Sequence, residues 1–425
     1  MLIIFNFQLS IFNSKAQTQT LTYAHYVIDT VTSKEMNGRG YVDSADFKAA
    51  TFIQHEFQNS NLQSFTADYF QPFKFSANTF PGKMEVKLNG KKLIPGKDYL
   101  VDAASSGAKG KFTVKEIPHS ASDTSINTVS NIVQWLIEQA GKKILVSASE
   151  NSFTKKQWST LTTEIRKYNG FGIKGYITRS SSKLTWDASQ EALSSCWIQV
   201  KDSIQKKPFK KIKLNIDEQL KENYLSRNVI GFVKGIEHPD SFIVFTAHYD
   251  HLGQMGDGIF FPGANDNASG VSMVLNLAKY YSTHPSKYSV VFICFTGEEL
   301  GLLGSNYFTE HPLFPIDKIK FLINLDIVGT GNDGIKVVNA TEFPKQFDQL
   351  VKLNDEEQLV KVVSPRGAAA NSDHYPFYEK GVPCFFIYTM GGISAYHDIY
   401  DRAETLPLSD YEDLLKLLID FEKKF

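Results

Sequence analysis

The sequence predicts an α/β fold, a mostly parallel central sheet covered by helices, with a second, β-rich stretch placed before the main run of strands. Three observations carry this expectation. First, from Asn228 onward, short apolar runs alternate with helical patterns: 229–233, 242–247, 290–295, 321–325, 335–338 and 382–388, then a closing helix near 410–425. Second, these runs are apolar at successive positions, as strands buried on both faces must be. Third, residues 78–213 have another texture. Short strands there (84–88, 99–101, 112–114) are punctuated by turn signals such as Asn89-Gly90 and Pro95-Gly96.

Taken in order, residues 1–16 read as a signal peptide. Residues 2–12 are mostly apolar and too short to span a bilayer, and Ser14-Lys15-Ala16 precedes a polar Gln-Thr-Gln-Thr. The basic segment that usually opens such a peptide is missing. The expectation is export, to the periplasm or the extracellular space. Residues 17–77 read as a helical entry. Ser44 is positioned to cap a helix with Phe47, Ala50, Ile53 and Phe57 on one face, and an edge strand begins at Pro72. Residues 78–213 then form the β-rich stretch, with helical segments near 129–140 and after strand 143–147, and further strands at 172–178 and 197–200. No cluster of metal-ligating residues falls there, so no chemistry is expected of it. Residues 214–425 carry the main α/β unit.

Composition bounds the function. The chain has 425 residues and a formal net charge of −1, which gives no electrostatic case for nucleic acid or an anionic membrane. No later run is long enough for a membrane span. The cysteines Cys196, Cys294 and Cys384 are far apart and read as apolar filler, not as a disulfide or zinc framework.

The chemistry gathers where strands end. His248 and Asp250 follow the 242–247 run, and Glu298 and Glu299 follow the 290–295 run. Between them the small-residue turn Gly263-Ala264-Asn265-Asp266-Asn267-Ala268-Ser269-Gly270 leads into a helix. Asp326 closes 321–325, and Asp373, His374, His397, Asp398 and Asp401 lie further on. Ligands in open α/β sheets bind outside the carboxyl ends of strands. Histidines with several carboxylates suit zinc, which takes nitrogen and oxygen at roughly 2.0–2.2 Å. The set is too rich for one ion and suits two, about 3.5–4 Å apart, sharing a carboxylate and a water. Adjacent side chains at a strand end point different ways, so one of Glu298 and Glu299 can bind metal while the other faces the water as general base. His251, His284, His311 and His374 are expected to satisfy local groups or face water. Asp398 and Asp401 are open between orienting His397 and facing solvent.

In this order, the motifs His-Tyr-Asp-His, Gly-Ala-Asn-Asp-Asn-Ala-Ser-Gly, Gly-Glu-Glu-Leu-Gly-Leu-Leu-Gly-Ser, Asn-Leu-Asp-Ile-Val-Gly and Tyr-His-Asp resemble metallopeptidase family 28, the co-catalytic di-zinc aminopeptidases. The resemblance implies two Zn2+ per chain. It implies His248, Asp266, Glu299, Asp326 and His397 as ligands, with Asp266 bridging. It makes Glu298 the general base, puts Asp250 behind His248, and offers the Tyr396 hydroxyl to the oxyanion. It also implies a cis peptide at Asp266–Asn267 and a protease-associated-like domain at 78–213. The expected reaction is removal of N-terminal residues from peptides with a free N-terminus. A carboxypeptidase or dipeptidase of the same family, a glutaminyl cyclase-like enzyme with one zinc, and an inactive binding relative are the alternatives.

Overall fold

The computed structural model describes residues 19–118, 128–204 and 208–425. The expected signal peptide lies outside the described residues. Among the described residues the chain forms two eight-stranded mixed sheets flanked by helices, and a short ribbon pairing Gly253–Gln254 with Phe260–Phe261.

The first sheet runs, from edge to edge, Phe70–Thr79, Gln219–Val233, Tyr288–Phe295, His238–His248, Ile319–Leu325, Cys384–Thr389, Ile335–Val338 and Val363–Pro365. Its middle is parallel, joining Tyr288–Phe295, His238–His248, Ile319–Leu325 and Cys384–Thr389. Antiparallel pairing enters on either side of this middle, with Gln219–Val233 against Tyr288–Phe295 and Ile335–Val338 against Cys384–Thr389.

Alternation along the strands explains the double-sided apolar pattern. Ile243, Phe245 and Ala247 face one layer with Val271, Leu275 and Leu418 from the helices Ser269–Thr283 and Tyr411–Glu422. Phe242 and Val244 face the other with Phe308 and Phe377 from the helices Leu303–Glu310 and His374–Glu379. Each such buried side chain contributes roughly 1.5–3 kcal/mol relative to exposure, so a register slip of one residue is strongly disfavoured.

Two local expectations at the entry helix fail. The helix spans Ala45–Asn59, but the Ser44 side chain makes no capping bond because its backbone is left-handed. Phe47 is exposed on that helix and carries the Arg227 guanidinium over its ring, while Asp46 takes the buried position.

The second sheet occupies the stretch from Met84 to Ile216. Its two expected helical segments are the helices Thr128–Gln139 and Lys155–Lys167, which connect the first three of the parallel strands Ala108–Glu116, Ile144–Ser149, Gly175–Ser180 and Cys196–Lys201. One of its faces shares a core with the ribbon after His248: Leu252, Met255 and Phe261 pack with Phe80, Trp186 and Ile198.

Candidate metal centre

The parallel register sets the site. His248 pairs with Phe295, so the two strands stop at the same level and their next residues share one rim. Asp326 follows Ile319–Leu325 on that rim, and Asp266 sits in the turn before Ser269–Thr283.

There the structure brings together all the residues expected to bind metal. His248 Nε2 lies 3.3 Å from Asp266 Oδ1, 3.4 Å from Asp326 Oδ1 and 4.0 Å from Glu298 Oε2. His397 Nε2 lies 3.1 Å from Asp266 Oδ2 and 3.3 Å from Glu299 Oε2. Asp266 therefore gives one oxygen to each histidine. The potential ligand atoms also converge as His248, Asp266 and Glu299, and as His248, Glu298 and Asp326.

The surrounding groups aim these side chains. The Nδ1–H of His248 donates to the Asp250 carbonyl at 3.1 Å, which leaves Nε2 turned to the carboxylates. The Asp250 carboxylate is expected to stand behind His248 but mainly serves other partners. It stands 3.8 Å from His248 Nδ1, while it accepts from Tyr41 Oη at 2.7 Å and from the Glu298 N–H at 3.2 Å. Asp250 thus acts on His248 chiefly through its backbone and positions the Glu298 loop with its side chain. Asp401 takes the N–H groups of Asn265 and Asp266 at 2.8 and 3.0 Å, fixing the turn that presents Asp266. Asp398 is ion-paired to Lys183 at 2.6 Å and is not an orienting partner of His397. The Asp266–Asn267 peptide is cis. The Tyr396 ring stacks on His397, centroids 4.0 Å apart, and its side chain reaches solvent at the mouth of the site.

Two contributors escape the sequence reading. His251 is fully buried, and its Nδ1–H donates to Glu299 Oε1 at 2.6 Å, leaving the other Glu299 oxygen toward His397. Its place in His-Tyr-Asp-His was the available signal. The second is Trp186, whose carbonyl accepts from His397 Nδ1 at 2.8 Å. No local motif marks it, because the contact crosses between the two sheets.

The two neighbouring glutamates are driven apart electrostatically. Burial raises Glu298 well above the carboxylate range, and the charges of Glu299, Asp326 and Asp373 reinforce this against His248. Burial also opposes ionisation of Glu299, but His397 and His251 hold it down to about 2. Asp266 is likewise held well below its ordinary value, against burial, by His248 and His397.

The donor set fits divalent cations. Asp250, Asp266, Glu298, Glu299, Asp326 and Asp373 crowd one buried rim. The nearby buried guanidinium of Arg39 is committed to the carbonyls of Val31, Tyr249, Pro262 and Gly263. Buried carboxylates without cations are costly. Asp326 Oδ1 also has no hydrogen-bond donor among the described residues. Imidazole Nε2 atoms facing carboxylate oxygens are the ligand chemistry zinc takes.

A parallel-centred sheet with this rim defines the chain's class as an α/β protein with a candidate divalent-metal centre at the carboxyl ends of its strands. Residues 228–421, a little under half of the chain, match the model of peptidase family M28. An aminopeptidase of Bacillus subtilis, YwaD, is 34% identical over 165 residues, which are 38% of this chain and 35% of the relative. The match thus spans about a third of that relative's length. Among solved structures, BSAP, a zinc aminopeptidase from Bacillus subtilis, superposes with a TM-score of 0.68 at 18% identity, over 95% of this chain and 94% of the other. A peptidase M28 precursor from Shewanella amazonensis superposes with a TM-score of 0.66 at 16% identity, over 97% and 96%. These two likenesses establish the fold over nearly the whole chain.

Proposed function

We propose that the protein is a zinc aminopeptidase that holds two zinc ions and releases N-terminal residues from peptides with a free amino end. The observation that carries this reading is Asp266, with one oxygen facing each of two histidines that have their own carboxylate, Asp326 beside His248 and Glu299 beside His397. His248, Asp266 and Asp326 would hold one ion, and His397, Asp266 and Glu299 the other. Zinc so bound would supply Lewis acidity to the substrate carbonyl and make water acidic near neutral pH.

The chain's own residues do the rest. Glu298 stands beside the first set, its Oε2 4.0 Å from His248 Nε2, and is slightly open to solvent. Its carboxylate takes the proton of the attacking water and gives it to the departing amine. Asp250 holds the Glu298 backbone in place. Tyr396, at the mouth, donates its hydroxyl to the developing oxyanion. A cavity of about 420 Å³, tied to the centre through Trp186 and Asp187 beside His397, is the space we assign to downstream residues of the peptide. The reading extends to export, with cleavage after Ala16, and to residues 78–213 as an insertion of the protease-associated kind. N-terminal sequencing of the mature protein tests the cleavage.

The decisive experiment measures zinc per chain together with hydrolysis of aminoacyl amides, free and N-acetylated. Two equivalents, with turnover confined to free amines and abolished by chelator, support the proposal. One equivalent with cyclisation of N-terminal glutamine, or turnover of N-blocked peptides, overturns it.

A further inference from the structure

The β-rich stretch, which carries no metal-ligand cluster of its own among the described residues, nonetheless meets the metal centre at the segment from Lys183 to Asp187. Trp186 and His397 are joined in both directions. The Trp186 N–H donates to the His397 carbonyl at 2.8 Å, and the Trp186 carbonyl accepts from His397 Nδ1 at 2.8 Å. Asp187 Oδ1 stands 3.3 Å from the same Nδ1. Lys183 grips the loop on either side: its Nζ donates to the carbonyls of Ser394 and Tyr396 at 2.7 and 3.1 Å and pairs with Asp398 at 2.6 Å. The Trp186 indole is itself anchored in the second sheet, donating from Nε1 to the Val101 carbonyl at 2.7 Å, and its ring stacks on Phe261.

The need for such a clamp is visible in the loop it holds. His397 lies outside any helix or strand, several residues beyond the strand Cys384–Thr389, and its backbone is left-handed at φ 51°. His248, by contrast, ends a central strand and finds its Nδ1 acceptor two residues away. A carbonyl acceptor on Nδ1 fixes the proton there and leaves the Nε2 lone pair for a metal.

We propose that the segment Lys183–Asp187 is a positioning element that locks His397 in its Nδ1–H form and orientation, so that the second sheet completes one of the two metal sites and not the other. This rests on the two-zinc reading given above. Its consequence is asymmetry: loosening the clamp weakens the site of His397 and Glu299 while the site of His248 and Asp326 keeps its own supports.

The test is zinc titration of the full chain, wild type against K183M and the double variant K183M/D187N, with K183R as the conservative control. Outer partners of metal-bound histidines typically contribute about 10–100-fold in affinity. The expected result is such a weakening of one zinc equivalent, an unchanged second equivalent, and substantial recovery in K183R. Equal weakening of both equivalents, or none, overturns the proposal. Wild-type protein gives a measurement independent of whether the variants fold: two-bond 1H–15N correlation of the zinc-loaded histidines. A His397 pattern with the proton on Nδ1 supports the clamp, and a proton on Nε2 overturns it. A wild type that binds fewer than two zinc ions instead fails the two-zinc reading, so the two failures are distinguishable.

Discussion

At the residue scale, adjacent glutamates have acquired opposite characters from their surroundings. Glu299 lies between two imidazoles and stays ionised, whereas Glu298 is buried among carboxylates and holds a proton more readily. That division agrees with the proposed roles of Glu299 as ligand and Glu298 as proton carrier. E298Q should keep both zinc ions and lose about 10²–10⁴-fold in kcat, the usual contribution of a general base, as read by steady-state kinetics beside metal analysis. D326N should instead lose zinc, because it removes charge from a group whose Oδ1 has no hydrogen-bond donor among the described residues. Metal content therefore separates two variants that are both inactive. The expected ligands were legible because each follows a strand or turn with a strong local pattern. His251 and Trp186 were not. A buried histidine and a backbone carbonyl acquire their roles only from what lies across the fold, Glu299 in one case and His397 in the other.

At the scale of elements, the parallel strands could be read nearly to their ends because their both-sided burial leaves uninterrupted apolar runs. In the second sheet most strands and both helices were also legible, but the place of Lys211–Ile216 between Met84–Leu88 and Ala108–Glu116 was not, because such distant pairing leaves no local pattern. The entry segment 36–40 braces the metal rim. Gly40 packs on Gly253, where a Cβ would stand 2.5 Å from the Gly253 Cα, and Arg39 spans the carbonyls of Tyr249, Pro262 and Gly263. Those carbonyls flank His248 and Asp266. R39M strands several buried acceptors, each costing about 1–3 kcal/mol when unpaired, so it should lower the unfolding free energy by ~3 kcal/mol or more in urea melts. R39K should recover only part, lacking the planar fork. The helix His374–Glu379 carries a different signature. Burial lowers the His374 pKa to about 3, far below its unfolded value. The unfolded chain then binds the extra proton between these values, so the contribution is complete above about pH 6.5 and falls as pH drops toward 3, by at most ~1.4 kcal/mol per unit. Subtracting the stability profile of H374Q from that of wild type should show this slope in the acid range and none above neutrality.

At the scale of the whole molecule, the two sheets meet on the loops that carry the metal rim and at the end of the edge strand Phe70–Thr79, where Asn78 donates to the carbonyls of Ala103 and Ser105. Leu252, Met255 and Phe261 from beside the rim enter the core of the second sheet, and Trp186 of that sheet reaches His397. The rim is therefore stabilised from outside by packing and destabilised from inside by its buried carboxylates. Bound cations reverse the second effect. A ligand that binds only the folded state at about a thousand times its Kd adds ~4 kcal/mol. Chelation should accordingly lower the thermal midpoint markedly, and zinc should restore it. The effect should also be uneven along the chain. Hydrogen exchange on the chelated protein should accelerate at 248–252, 263–268, 296–300, 326–330 and 394–401, which hold or flank the acids and histidines. The helices Thr128–Gln139 and Lys155–Lys167 pack through Ile132, Leu136, Leu161 and Ile165 into a separate apolar core, apart from Leu252, Met255 and Phe261, and should keep their protection. Because Trp186 links the sheets, residues 183–187 should follow the rim and not their own sheet. Uniform loss of protection over both sheets would show instead that the cations support the entire fold and that the rim has no separate stability.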